Sequence, residues 1–267
     1  VEKPTFLKVS HFDEILKLAK ENKVEVFPVF QNRHNLAVQR VKNSILNDEL
    51  GKINLVSVRV RWCRPQKYYD LAPWRGTLSH DGGALTNQGI HHVDLLRYLG
   101  GEISKVNATM RTLGSKIEAE DTIVSSFKYE NSSVGSLEVT TAARPDDFEA
   151  SISLVGSKGL AQIGGIAVNE LQIFTPKPSD CVTSSEDFSD CVYGDGHKLL
   201  YAEIYSSLSN ELAYSVNEED CFKSIQLLHA FYLSDEIDNW QDVNHEGESS
   251  RLGMPNDEIS NLYRTKE

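Results

Sequence analysis

A chain of 267 residues that is 40% hydrophobic and 25% charged has apolar surface enough for a large core and the make-up of an ordinary water-soluble protein of one or two domains. Its net charge of -12 argues against a nucleic-acid partner, whose phosphates need a basic surface, and no apolar run approaches the length of a membrane span. The four cysteines, Cys63, Cys181, Cys191 and Cys221, show neither paired spacing nor histidines at ligand spacing, so free thiols, no structural metal and a reducing, cytoplasmic setting are expected.

The chain opens on Val1-Glu2-Lys3-Pro4, which reads as the end of a strand without an initiator methionine, so a piece of a longer protein is expected. His11 to Lys20 puts Phe12, Ile15, Leu16 and Ala19 on one helical face, and Val24 to Phe30 reads as a strand. The pair makes one helix-to-strand step of an α/β unit. Leu36 to Leu50 has helical spacing and stops at Gly51. Ile53 to Trp62 then alternates strictly, with Val56, Val58, Val60 and Trp62 on one face and Arg59 and Arg61 on the other, which predicts a sheet with one apolar and one charged face.

Arg64 to Thr77 is a long loop rich in arginine and aromatics, the kind of segment that carries function on a rigid scaffold. Arg64 and Arg75 suit a phosphate or carboxylate, and Tyr68, Tyr69 and Trp74 suit stacking on a ring. The same aromatics could equally pin the loop to the surface.

Gly82-Gly83 gives a permissive turn, and the spacing predicts a helix from Asn87, as its N-cap, to Leu99, ended by Gly100-Gly101. On that helix Asn87, His91 and Asp94 make one polar stripe between apolar flanks, with His92 pointing elsewhere. A buried stripe of this kind either satisfies a core histidine or forms a proton-transfer site in which the amide or carboxylate orients the imidazole.

Strand patterns follow at Lys105 to Thr112, Asp121 to Tyr129, Ser133 to Thr141, Phe148 to Val155, Leu160 to Ile163 and Leu171 to Phe174. Glu130-Asn131-Ser132 and Gly156-Ser157-Lys158-Gly159 read as hairpin turns, so this half is a largely antiparallel sheet. Pro176 to Gly196 reads as an exposed polar loop. Helices are expected at Leu199 to Leu212 and, capped by Asn217, at Glu218 to Ser234. The polar tail from Asn244 is expected to be disordered or to dock on a partner.

Three motifs in order resemble the oxidoreductases grouped under glucose-fructose oxidoreductase, inositol dehydrogenase and MocA: Glu2-Lys3-Pro4, Gln31-Asn32-Arg33-His34-Asn35, and Gly82 to Asp94. The resemblance runs from Glu2 to about Gly253. Within the family, Arg64-Pro65-Gln66-Lys67-Tyr68-Tyr69, Trp74-Arg75-Gly76-Thr77, Asn87-Gln88 and Gly194-Asp195-Gly196-His197 with Tyr201 look most like the UDP-N-acetyl-glucosaminuronate 3-dehydrogenases of surface-polysaccharide biosynthesis. The usual family aspartate at the position of Asn87 is replaced, as in that subgroup.

The resemblance implies an α/β (α+β) fold. Residues 1–32 would be the C-terminal remnant of a Rossmann NAD-binding domain, 33–253 a substrate and oligomerisation domain with a large, mostly antiparallel open sheet and helices on one face, and 254–267 a polar tail. The Gly-x-Gly-x-x-Gly fingerprint, its strand and its acidic residue are absent from these residues and are expected before Val1. The implied activity is NAD- or NADP-dependent oxidation of a secondary hydroxyl, at C3, of a UDP-linked N-acetylated sugar or sugar acid. The open sheet would join copies into a homo-oligomer. Lys3 and His91 would be catalytic, with Asn87 and Asp94 positioning His91. Glu2, Lys3, Pro4, Gln31 and Arg33 would meet the cofactor, and Arg64, Tyr68, Trp74, Arg75, His197 and Tyr201 the nucleotide sugar. Two alternatives stay open: a non-catalytic sugar-nucleotide-binding or oligomerising remnant, and a dehydrogenase of a free polyol or monosaccharide.

Overall fold

The computed structural model describes residues 1–189, 194–209, 212–244 and 247–263. Helix α1 (Val9–Asn22) ends where Lys23 takes a left-handed φ of 55° and donates back to the carbonyls of Ala19 and Lys20. Extended chain follows, then a single 3₁₀ turn at Gln31–His34 and helix α2 (Leu36–Leu46), which buries Ala37, Val38 and Val41. Strand β1 (Ile53–Arg61) leads into the arginine-rich loop, which contains one helical turn, α3 (Gln66–Tyr69). Two helices, α4 (Gly83–Asn87) and α5 (Ile90–Gly100), come next.

The chain then turns to strands: β2 (Ile103–Arg111), β3 (Thr122–Tyr129), β4 (Val134–Thr140), β5 (Glu149–Gly156), β6 (Leu160–Gly164) and β7 (Glu170–Phe174). A short helix α6 (Asp180–Thr183) interrupts the polar loop, and Cys191 lies outside the described residues. Helix α7 (Gly196–Leu208) precedes α8 (Glu218–Ile237), whose N-cap Asn217 accepts the Asp220 N–H. The two-residue strand β8 (Gln241–Asp242) and helix α9 (Asp257–Tyr263) close the chain.

All eight strands form one sheet in the order β7-β6-β5-β1-β4-β3-β2-β8. Every neighbouring pair is antiparallel except β1 and β4, where Val58 lies opposite Leu137 in a parallel ladder. The long connection from β1 through α4 and α5 to β2 makes that parallel pair possible, since a tight turn cannot reverse the chain twice. Val56, Val58, Val60, Leu137, Val139, Ile152 and Leu154 are buried on one face. Helices α2, α4, α5 and α8 pack on the strands from that side. The other face carries Arg61 paired to Glu138 at 2.5 Å and Arg59 paired to Glu149 at 3.0 Å. The period-two pattern thus becomes one core face and one charged face, as the sequence predicts.

Three expectations differ. Residues 24–30 are extended but form no strand: a strand needs a ladder, and the extended pairing here is limited to Val1, through Val1 N to Phe27 O at 2.8 Å and Val29 N to Val1 O at 3.1 Å. The predicted Asn87–Leu99 helix is broken in two. A Cβ on Gly89 would lie 2.8 Å from the Leu85 carbonyl and 3.3 Å from Val139, so glycine lets the chain pass close to β4 and re-aim there. Gly89, not Asn87, sits at the N-cap of α5.

The third difference is the tail, which docks on its own chain. Ser249 N donates to His229 Nδ1 at 3.0 Å, leaving His229 Nε2–H to donate to Leu7 O at 3.0 Å. Leu252 is fully buried, and Arg251 pairs with Asp235 and Glu236. The buried His229 therefore ties the first residues, α8 and the tail together. Residues 264–267 lie outside the described residues.

Candidate active site

The helix break at Gly89 decides where each polar residue goes. Asn87 ends α4 and turns its side chain toward the start of the chain: Lys3 Nζ donates to its backbone carbonyl at 2.7 Å and to Oδ1 at 3.0 Å. The Asn87 amide NH₂ donates to Asp81 Oδ1, and the other Asp81 oxygen accepts the Gly76 N–H at 2.6 Å. Burial pushes the Lys3 ammonium below its ordinary value; the Asp81 and Glu2 charges oppose this, while Arg64 and Arg75 add to it.

His91 opens α5 and is buried, at 6% exposure, with neither ring nitrogen bonded among the described residues. Burial, followed by the charges of Lys3, His92 and His197, holds its pKa well below 6.5, so the ring is neutral at neutral pH. A neutral, unpartnered imidazole near a cation can accept a proton from a bound hydroxyl. The Phe30 ring packs against its edge at 6.3 Å. His92 is fully buried beside Trp62, and desolvation drops its pKa to about 4, which fits a core residue.

The polar stripe does not form as predicted. Asp94 makes no hydrogen bond to His91 but a bidentate pair with Arg33, at 2.6 and 2.8 Å, and Arg33 reaches Asp220 at 3.1 Å as well. The guanidinium also sits 4.6 Å from the centre of the Tyr98 ring. Arg33 is 3% exposed and its guanidinium is held by Asp94 and Asp220, which makes it a buried anchor for α5. The cause is non-local: Arg33 and Asp94 each need a buried partner, and each satisfies the other. Gln31 is buried too, against Gly196, with its Oε1 unbonded among the described residues.

The loop residues divide between the two roles the sequence left open. Tyr69 is an anchor, buried with its hydroxyl 2.9 Å from Thr141 Oγ1. Tyr68, Arg75 and Trp74 cluster: Arg75 Nη1 donates to the Tyr68 hydroxyl at 2.5 Å, and its guanidinium lies 4.3 Å from the Tyr68 ring and 4.6 Å from Trp74. Gln88 donates to the same Tyr68 hydroxyl at 3.2 Å. Arg64 is paired to Asp147 at 2.8 Å, which compensates part of its charge. His197, at the start of α7, lies 3.5 Å from Glu2, and Tyr201 one turn on is 62% exposed. A cavity of about 380 Å³ opens between Lys3, Pro4, Trp74, Asp81, Asn87 and the tail residue Tyr263.

Asp81 is the member that sequence reasoning misses. It stands immediately before the double glycine, and only the left-handed turn at Gly82, φ 74°, folds it back on Asn87. The same turn is held from behind. Glu120 Oε1 accepts the Leu85 N–H at 2.9 Å, and burial lifts its carboxyl to about 8, so it is neutral at pH 7. The Tyr232 hydroxyl lies within hydrogen-bond reach of Gly82 O and 2.8 Å from Glu120 Oε2. A Cβ on Gly83, φ 84°, would lie 2.1 Å from that carboxyl, so only glycine fits.

An open sheet backed by helices, with a lysine bound to the end of α4 and an unbonded histidine at the start of α5, fits one class, and the chain belongs to the GFO/IDH/MocA oxidoreductases. The model of that family's C-terminal domain matches residues 38–162. Among solved structures, the WlbA dehydrogenase of Bordetella pertussis in complex with NADH and UDP-GlcNAcA is 36% identical, with a TM-score of 0.86 over 92% of this chain and 72% of that one. WlbA of Chromobacterium violaceum, in complex with the same two ligands, is also 36% identical, with a TM-score of 0.81 over 90% and 69%. The uncharacterized oxidoreductase YrbE of Bacillus subtilis is 24% identical over 165 residues, 60% of this chain and 46% of that protein. The match therefore spans less than half of that curated relative. Levoglucosan dehydrogenase, 20% identical with a TM-score of 0.78, shares the fold.

Proposed function

We propose that this protein serves an NAD-dependent dehydrogenase that oxidises a secondary hydroxyl, at C3, of a UDP-linked N-acetylated sugar acid. The observation that carries the reading is the buried His91 ring, neutral and without a partner, within electrostatic reach of a lysine held by Asn87. The two relatives at 36% identity, each in complex with NADH and UDP-GlcNAcA, support the cofactor and the substrate class.

His91 accepts the hydroxyl proton. Lys3 donates a hydrogen bond to the same oxygen and stabilises the alkoxide charge that grows on it. Asn87 aims the Lys3 ammonium, and Asp94 acts at a distance by fixing α5 to Arg33. When bound, NAD supplies the acceptor for the hydride that leaves the oxidised carbon. Glu2, Lys3, Pro4 and Gln31 fit its nearer end, since Gln31 Oε1 is a buried acceptor in need of a donor. Arg33 does not fit. Tyr68, Arg75, Trp74 and His197, with Arg64 and Tyr201 more peripheral, are the groups offered to the diphosphate, the sugar carboxylate and the uracil ring.

The outer sheet face supports a homo-oligomer. Val124 on β3, Val134 on β4, Leu160 on β6 and Ile173 on β7 are exposed on a sheet whose central charges, Arg59, Arg61, Glu138 and Glu149, are paired among themselves.

Turnover and calorimetry on the whole protein test the reading. NAD and UDP-N-acetylglucosaminuronate should each bind, and together they should give reduced cofactor. Oxidation of a free polyol with equal kcat/KM, unaffected by added UDP, would replace the substrate class; binding of the nucleotide sugar without any turnover would favour a non-catalytic module.

A further inference from the structure

We infer that Asp81 is a positioning residue for Lys3: its carboxylate locks the Asn87 amide with Oδ1 toward the lysine and supplies the negative charge that Asn87 lacks. The inference rests on the proposed role of Lys3 and adds a residue to it. Three observations carry it.

The first is directional chemistry. A carboxylate can only accept and an ammonium can only donate, so an amide held between Asp81 Oδ1 and Lys3 Nζ has one orientation open to it, NH₂ toward Asp81 and Oδ1 toward Lys3. The second is rigidity. Asp81 is 2% exposed; its second oxygen takes the Gly76 N–H at 2.6 Å and its own N–H donates to Thr77 O at 3.1 Å, so the carboxylate is fixed in place. The third is charge. Asp81 is the foremost of the charges that keep Lys3 protonated, ahead of Glu2 and against Arg64 and Arg75.

Burial raises Asp81 above its ordinary value, while the Gly76 and Asn87 donors and the Arg75 and Lys3 charges hold it down. The charged and titratable groups around Lys3 and Asp81 are thus Arg75, Arg64, Glu2, His91 and His197, with His80 lining the same cavity. The carboxylate missing from position 87 stands one residue behind it in space, six residues earlier in sequence.

The amine itself gives the test. Lysine labelled at Cε and followed by NMR over a pH series reads Lys3 in the whole protein without turnover, the Lys3→Met protein assigning its signal. Asp81→Asn removes the charge and lets the Asn87 amide turn its NH₂ toward the ammonium. Lys3 should then lose its proton about one pH unit or more earlier, and kcat should fall about tenfold or more with KM within about twofold.

The double variant Asp81→Asn/Asn87→Asp moves the carboxylate forward and should return both quantities toward the parent's, a recovery that a purely structural aspartate would not allow. Should Asp81→Asn fail to fold, the double variant carries the test, with Lys3 titrating at or above the parent's pH. An unshifted Lys3 titration in Asp81→Asn, a double variant whose Lys3 titrates no higher than in Asp81→Asn, or, where that single variant does not fold, a double variant with Lys3 titrating below the parent, overturns the inference. A parent protein that oxidises no sugar would sink the dehydrogenase reading, while the amine titration would still decide Asp81.

Discussion

Lys3 Nζ reaches Asn87, 84 residues along the chain, and binds both its side-chain oxygen at 3.0 Å and its backbone carbonyl at 2.7 Å. The double contact fixes the ammonium at the point where the first residues of the chain cross the end of α4. A group held so firmly before any ligand arrives needs little reorganisation when charge develops beside it.

Lys3→Met should therefore lower kcat about 100-fold or more at saturating substrate, because one preorganised donor to the reacting oxygen is lost. Steady-state kinetics on the whole protein checks this. Turnover within about twofold of the parent's would take Lys3 out of the chemistry.

The rate should rise with pH as His91 loses its proton and fall as Lys3 loses its own. Burial depresses both, His91 well below 6.5 and Lys3 below 10.5, so the plateau of kcat should begin well on the acid side of pH 6.5 and end before pH 10.5. A pH–rate profile with an acid limb centred at or above 6.5 would contradict the burial of His91 seen here.

Asp94→Ala leaves the Arg33 guanidinium buried with only Asp220 to balance it. Loss of one partner of a buried pair costs about 3–5 kcal/mol, at the lower end where a second carboxylate remains. Urea unfolding should show it as a reduced midpoint. A variant as stable as the parent would show that the Arg33 pair does not anchor α5.

Glu120 has a folded pKa of about 8 against an ordinary 4.5. Below pH 4.5 both the folded and unfolded chains hold the proton, and the stabilisation is complete. As the pH rises toward 8 the unfolded chain gives up the proton while the folded one keeps it, so stability falls across that window and is lost above it. Glu120→Gln keeps an acceptor for Leu85 and a donor for Tyr232, and should flatten the fall. Parallel stability–pH curves for parent and variant would show that the carboxyl is not buried as a neutral acid.

Strands β1 to β7, the hairpin turns and the charged outer face of the sheet were legible in the sequence, because they follow from alternation over a few neighbouring residues. Val56, Val58 and Val60 must share a face whatever else the chain does. The turn at Gly82-Gly83 and the helical spacing that follows it were legible for a similar reason, being local. What the sequence could not supply was who meets whom. Asp94 has the right spacing for His91 yet belongs to Arg33, and Asn87 has the look of a cap yet belongs to Lys3 and Asp81.

These partners are far apart in the chain, and burial selected them. A charge withdrawn from water takes whichever opposite group the packed core brings to it, and spacing along one helix carries no record of that choice. The docked tail followed the same rule, since Leu252 and Ser249 found cover only once α8 and His229 stood in place. The sequence determined the faces of the elements; the tertiary structure decided the pairs, because hydrogen bonds and ion pairs are made through space.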